Sequence, residues 1–136
     1  MKLTEKIFAL HAVSPFSELK PEELLIIAAA ASYREFAAGH VLCPQGGTLN
    51  RLYVRVAGEL TDGADGVLQA VVGTTLLLTG IAAPFPIVAG PEGYCALTIP
   101  RGKFFTVVNE CPALLVGFFR MPLLGVDYLG RRKEKI

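Results

Sequence analysis

Few side chains in this sequence could do nucleophilic or metal chemistry. There are three cysteines, Cys43, Cys95 and Cys111, and two histidines, His11 and His40. A thiol nucleophile needs a histidine base held against it, and no local signature surrounds any of these cysteines. A catalytic or structural metal needs two or more imidazoles, thiolates or carboxylates converging on one point. Only His40 falls in the middle of the chain, where it is expected as a surface strand residue. The cysteines form no C-x-x-C pair, and their number is odd. That usage points to free thiols in a reducing, cytoplasmic setting rather than to a disulfide framework. Cys43 and Cys95 are expected at strand positions as small hydrophobes, and Cys111, just before Pro112, is expected to be more exposed. Neither G-x-x-x-x-G-K-[ST] nor G-x-G-x-x-G occurs, so a phosphate-cradling loop of either kind is absent. No enzyme activity, metal or cofactor is expected.

Charge excludes other partners. Thirteen Lys and Arg balance 12 Asp and Glu, for a formal net charge of +1. No strong field for DNA, RNA or an anionic membrane follows. The one basic cluster, Arg131, Arg132, Lys133 and Lys135, is expected as a solvated tail. At 136 residues the chain is expected to be a single domain, 1–136. Its hydrophobic fraction of 52% implies a large core, a buried interface or both. No membrane span is expected. The apolar run 24–31 is far short of the roughly 20 residues a span needs. The longer stretch 67–90 is interrupted by Gln69, Gly73, Gly80, Pro84 and Pro86. The N-terminus lacks the pattern of a signal peptide.

The elements that would position any site follow from periodicity. Residues 1–33 predict helices: Leu3, Ile7 and Leu10 recur at helical spacing, Ser14-Pro15 suits a brief turn, and Pro21 followed by Glu22 and Glu23 opens a second helix. Residues 34–100 predict short strands. Leu52, Val54 and Val56 alternate with Tyr53, Arg55 and Ala57, and Gly58 is expected to end that strand. Asp62-Gly63 and Asp65-Gly66 signal a hairpin turn. Residues 67–78 predict two apolar strands broken at Gly73. Residues 87–89 and 94–99 predict two more, joined by Gly90-Pro91-Glu92-Gly93. Residues 101–136 predict a helix over 101–108, a last helix from Pro112 that Pro122 should break, and the tail. The fold class is mainly β with flanking helices, a roll or jelly roll.

Four stretches, taken in order, resemble the cyclic-nucleotide-binding domain family. Phe16-x-x-Leu19-x-x-Glu22-Glu23-Leu24 resembles its entry helix. Gly39-His40-Val41-Leu42-x-x-Gln45-Gly46 resembles its "G-E-x-[IL]-x-x-x-G" strand and turn. Leu52-Tyr53-Val54-x-x-x-Gly58-Glu59-Leu60 resembles its next strand. Leu97-x-Ile99-Pro100-Arg101-x-x-Phe104 with Pro112-x-Leu114 resembles its closing strand and hinge helix. The resemblance implies a double-stranded β-helix, or β-roll, of the catabolite-activator type.

The family's phosphate-binding cassette, roughly "G-E-[LI]-[AS]-L-[LI]-x-x-x-P-R-[AST]-A", is where this sequence departs. The resemblance implies a Glu for the ribose hydroxyl and an Arg for the cyclic phosphate. Here Gly73 matches, Thr74 stands at the Glu position, and Ala83 or Pro84 stands at the Arg position. Thr75 and Leu76 complete the candidate ligand segment. No Arg, Lys, Asp or Glu occurs over 67–88. Removing one side of a buried, hydrogen-bonded charge pair costs roughly 2–5 kcal/mol, on the order of thirty-fold to several-thousand-fold in affinity. Arg51 and Arg55 are the candidates for rescuing a phosphate contact; Arg101, at the start of the closing helix, could also reach inward.

The expected function is a non-enzymatic sensory, regulatory or scaffolding module that binds a small-molecule ligand, a protein partner or itself. An atypical cAMP or cGMP receptor is the second reading and a cupin-like enzyme the third. No DNA-binding domain is expected in this chain, because 127–136 is too short for a helix-turn-helix. A homodimer is expected through the apolar segment after the roll, with Leu115, Phe118, Phe119 and Leu123 at the contact.

Overall fold

Helices lead into the sheet and helices close it. Residues 1–120 are described in the computed structural model, with side chains through 118. Helix α1 spans Leu3–His11, a single 3-10 turn spans Phe16–Glu18, and α2 spans Pro21–Ala30. Pro21 sits at the start of α2, where its missing N–H costs nothing. The Lys20 backbone N–H donates to Glu23 Oε1 at 3.0 Å, so the acidic first turn also closes the helix entrance. Lys6 Nζ donates to the Ala31 carbonyl at 2.7 Å and ties α1 to the end of α2.

Five antiparallel strands follow: β1 Ser32–Phe36, β2 Val41–Cys43, β3 Arg51–Thr61, β4 Val71–Val72 and β5 Ile87–Pro100. Their order is β1-β5-β3-β4, with β2 also paired to β5. The sheet is open; the ladder does not close into a barrel. Between β4 and β5 lies the short helix α3, Thr74–Thr79. After β5 come α4, Arg101–Glu110, and α5, Pro112–Arg120.

Register separates two faces. Leu52 pairs with Ile99 and Val54 with Leu97, and these four join Phe16, Ile27, Phe104, Leu114 and Phe118 in a core between sheet and helices. Tyr53 pairs with Thr98, and Arg55 with Ala96. That opposite face carries a second core, with Tyr53, Tyr94 and Ala96 joined by Cys43, Leu49, Leu60, Leu76, Ala83 and Phe85. Both faces of the central strands are therefore covered, so Leu52, Tyr53 and Val54 are buried in succession.

Three expectations are corrected. Gly58 does not end its strand: β3 runs on to Thr61 through two irregularities, with Gly58 at φ +71°. The two strands expected before Ala89 and after Tyr94 are one continuous β5. Its ladder to β3 passes from Tyr94 directly to Ala89, so residues 90–93 bulge out opposite Glu59. Residues 74–79 form a helix rather than a strand. An apolar run this short does not distinguish the two by periodicity.

Candidate functional site

The turn into α3 is built around Gly73. Its φ is +111°, and a Cβ there would meet Leu49 Cδ2 at 2.7 Å and the Arg51 carbonyl oxygen at 3.1 Å. Only glycine allows the chain to leave β4 so close to β3 and enter a helix at once. Gly80, at φ +72°, closes the helix as its N–H donates to the Leu76 carbonyl at 2.9 Å. Leu76 and Leu77 are buried, on the roll side and the helix side respectively, so α3 lies between the two cores.

Gly73, Thr74, Thr75 and Leu76 lie in one strand–glycine–helix unit, Ala83 and Pro84 follow α3, and none of these side chains carries a charge. Thr74 Oγ1 is buried without a hydrogen-bond partner. Thr79 Oγ1 donates to the Thr75 carbonyl at 2.7 Å, a bond internal to the helix. Ala83 is buried, and both of its backbone polar groups are spent on the 46–47 turn: its N–H donates to the Gly47 carbonyl at 2.8 Å, and its carbonyl accepts from the Gly46 N–H at 2.7 Å. Pro84 is exposed.

Of the arginines weighed for phosphate rescue, Arg101 reaches α3, at a backbone carbonyl. Arg101 Nε donates to the Leu77 carbonyl at 3.0 Å, while its guanidinium lies 5.0 Å over the Phe105 ring. It thus caps the C-terminal turn of α3 from the first residue of α4, where positive charge is favoured by the helix dipole. Arg101→Ala is expected to cost about 1 kcal/mol, a charge-assisted bond weakened by the exposure of the side chain. It should also speed amide exchange across 76–80 more than elsewhere. Unchanged exchange there would show that the contact does not restrain α3.

Arg51 and Arg55, the other arginines considered for phosphate rescue, lie on the sheet. Arg55 forms an ion pair with Glu59 at 3.6 Å, on side chains 35% and 47% exposed, a pair worth about 1 kcal/mol or less. Register places Arg55 and Arg34 on either side of Ala96, on the same face as Tyr53. Burial pushes the Tyr53 hydroxyl pKa up, while Arg51 and Arg34 pull it down. Tyr94 is 2% exposed, its hydroxyl has no hydrogen-bond partner, and burial holds its pKa well above the usual phenol range despite the opposing charge of Arg55. It remains a protonated donor. Phe36 packs against both tyrosine rings, at 6.0 Å from Tyr53 and 6.2 Å from Tyr94.

The thiols are free and not grouped. Cys43 is buried and its pKa raised by desolvation. Cys111, expected to be more exposed, is fully buried among the helices, and desolvation raises its pKa first, with Glu23 and Glu110 adding to the effect. His40 is exposed. Among the described residues no three His, Cys, Asp or Glu side chains are grouped to hold a metal, and no helix is long and apolar enough to cross a membrane.

Of the residues expected at a subunit contact, Phe118 is turned into its own chain. It is 4% exposed and lies 5.9 Å from Phe16 edge-on and 6.1 Å from Phe104. Leu115 is partly exposed. Leu123 and the Phe119 side chain lie outside the described residues.

No family model and no curated protein matches the sequence. Solved structures do match. A cyclic nucleotide-binding-like protein from Brucella abortus aligns at a TM-score of 0.57 with 21% identity, over 77% of this chain and 98% of its own. A cAMP-binding acyltransferase from Mycobacterium smegmatis aligns at 0.63 with 22% identity, over 90% of this chain and 40% of that one. The regulatory domain of Toxoplasma gondii PKA with cAMP aligns at 0.67 with 19% identity, over 93% of this chain and 54% of that one. The chain thus spans about half or less of the latter two. Helices, antiparallel sheet, glycine corners and these three likenesses agree: the chain has the fold of a cyclic-nucleotide-binding domain.

Proposed function

We propose that this chain is a non-enzymatic regulatory or scaffolding module, cytoplasmic, that does not hold a cyclic nucleotide in the usual way. The observation that carries this reading is the uncharged cassette. Where the resemblance implies a ribose-binding carboxylate and a phosphate-binding guanidinium, Thr74, Ala83 and Pro84 stand. Ala83 is held in the core by its two backbone hydrogen bonds to the 46–47 turn, which supports the reading that this position is structural. The partner is then a small molecule without a phosphate, or another protein.

Calorimetric titration with cAMP and with cGMP tests it. Dissociation constants of about millimolar or weaker are expected, because the missing charge contacts are worth roughly 2–5 kcal/mol. A second reading, an atypical cyclic-nucleotide receptor, is favoured by the arginines Arg34, Arg51 and Arg55 on the Tyr53 face and by the unpartnered Tyr94 hydroxyl. A micromolar dissociation constant that is lost in Arg51→Ala or Arg55→Ala would overturn the first reading in favour of the second.

A further inference from the structure

We propose that the groove between α2 and α4 is a docking surface for a second copy of this chain, arranged about a two-fold axis. The proposal is independent of the ligand question and uses residues other than those of the 115–123 segment.

The groove is a cavity of about 280 Å³, lined by Ile26, Ala29 and Ala30 from α2 and by Lys103, Thr106, Val107 and Glu110 from α4. Its floor is apolar and its small residues leave room for a facing ridge. Ile26 is 38% exposed beside it, and Leu25 is 45% exposed on the same helix. These helices bury their other faces against the sheet through Leu24, Ile27 and Phe104, and the groove's floor reaches that same core at Val107, which is 2% exposed.

The α4 side of the groove identifies the occupant. Residues 103, 106, 107 and 110 fall within one stripe of about 100° on a helix of 3.6 residues per turn. Lys103 and Glu110 mark its ends, about 10 Å apart at 1.5 Å per residue. Both are exposed, and neither forms an ion pair with any other described residue. The stripe is symmetric about the midpoint between Thr106 and Val107. When a second α4 is laid antiparallel across that midpoint, Lys103 faces the copy's Glu110 and Glu110 faces its Lys103, with the exposed Thr106 of each copy near the axis. An unrelated partner helix would need its own matching charges at this spacing; a copy of this chain carries them. An isologous contact uses each pair twice, and the two α2 helices flank it to complete a four-helix interface.

Charge exchange tests this on the full chain. Sedimentation equilibrium of the wild-type protein at tens of micromolar should show a dimer. Lys103→Glu and Glu110→Lys should each weaken the dimer at least tenfold, because every substitution appears twice and replaces attraction with repulsion. The double variant Lys103→Glu/Glu110→Lys should restore the wild-type constant. Circular dichroism of all four proteins should match, since both side chains are on the surface. In a mixture of isotopically light and heavy protein, a zero-length carbodiimide cross-link should join Lys103 of one mass form to Glu110 of the other. A monomer at 100 micromolar, a dimer indifferent to the single reversals, or a double variant that stays monomeric would each overturn the proposal. A dimer cross-linked instead through 115–123 would assign self-association to the other surface.

Discussion

Phe118→Asp is expected to leave the protein unfolded at room temperature. The ring closes the core at the meeting of the 3-10 turn, α4 and α5, edge-on to Phe16 and tilted against Phe104. Gly117 allows the approach: a Cβ there would lie 2.5 Å from Pro15 Cβ. Truncating a buried phenylalanine to alanine costs about 3–5 kcal/mol, and a domain of this size has about 5–15 kcal/mol in all. An aspartate adds the desolvation of an unpaired carboxylate to the cavity. Phe118→Ala should therefore fold with a clearly lowered urea midpoint, and Phe118→Asp should show no cooperative transition. A folded Phe118→Asp with a near wild-type midpoint would mean that the α5 contact contributes little and that the ring is free for a partner.

Gly58→Ala is expected to cost roughly 2–5 kcal/mol, more than an alanine usually costs within a strand. Two effects combine. The residue sits at φ +71°, where an L side chain is penalised by about 1–2 kcal/mol. A Cβ would also fall onto the Gly93 carbonyl oxygen, a backbone atom that cannot turn aside, and overpacking of this kind costs about 1–3 kcal/mol. Gly58→Asn separates them. Asparagine tolerates the left-handed region better than alanine but brings the same Cβ. If the clash dominates, Asn should be as damaging as Ala in chemical denaturation. If Asn recovers most of the loss, the backbone angle alone sets the penalty. A wild-type midpoint in both variants would refute the corner geometry.

The glycine corners were the most legible part of this fold. Gly39, Gly46, Gly58 and Gly73 each combine a family spacing with a positive φ, and the helix-opening Pro21-Glu22-Glu23 announced α2 directly. What stayed hidden depends on contacts distant in sequence. Leu76 to Leu78 are an apolar triplet that suits a strand or a helix equally well. Only the tight exit at Gly73 and the Arg101 cap, 24 residues away, settle it as a helix. Gly58 and the 90–93 segment looked like two strand ends because glycine and proline usually stop a ladder. The paired bulges let the ladder continue, and no local pattern carries that pairing. Cys111 and Phe118 were misplaced for one reason: the helices fold back over the sheet, so residues near the last helix cover the chain's own core. At the candidate site the absence of charge over 67–88 was visible at once. The link from Arg101 to α3 was not, because nothing in an arginine after Ile99-Pro100 shows which carbonyl it will find.

The long strand β5 also sets a constraint in time. It is the partner of β1, β2 and β3, and without it the strand pairings left among the described residues are β3 with the two residues of β4 and the Thr61–Val67 bridge. Each ladder to β1 joins residues more than 55 positions apart, as Phe36 with Tyr94 and Ser32 with Thr98. Loop-closure entropy must be met before such pairings contribute. On the ribosome, the residues before β5 can form helices, turns and the short β3–β4 pairing but not the rest of the sheet. Until β5 has emerged, β1 and the β5-facing edge of β3 lack the partner that the described fold gives them. The nascent protein is thus exposed to strand-edge association in that interval, and a pause in synthesis before β5 would prolong the risk.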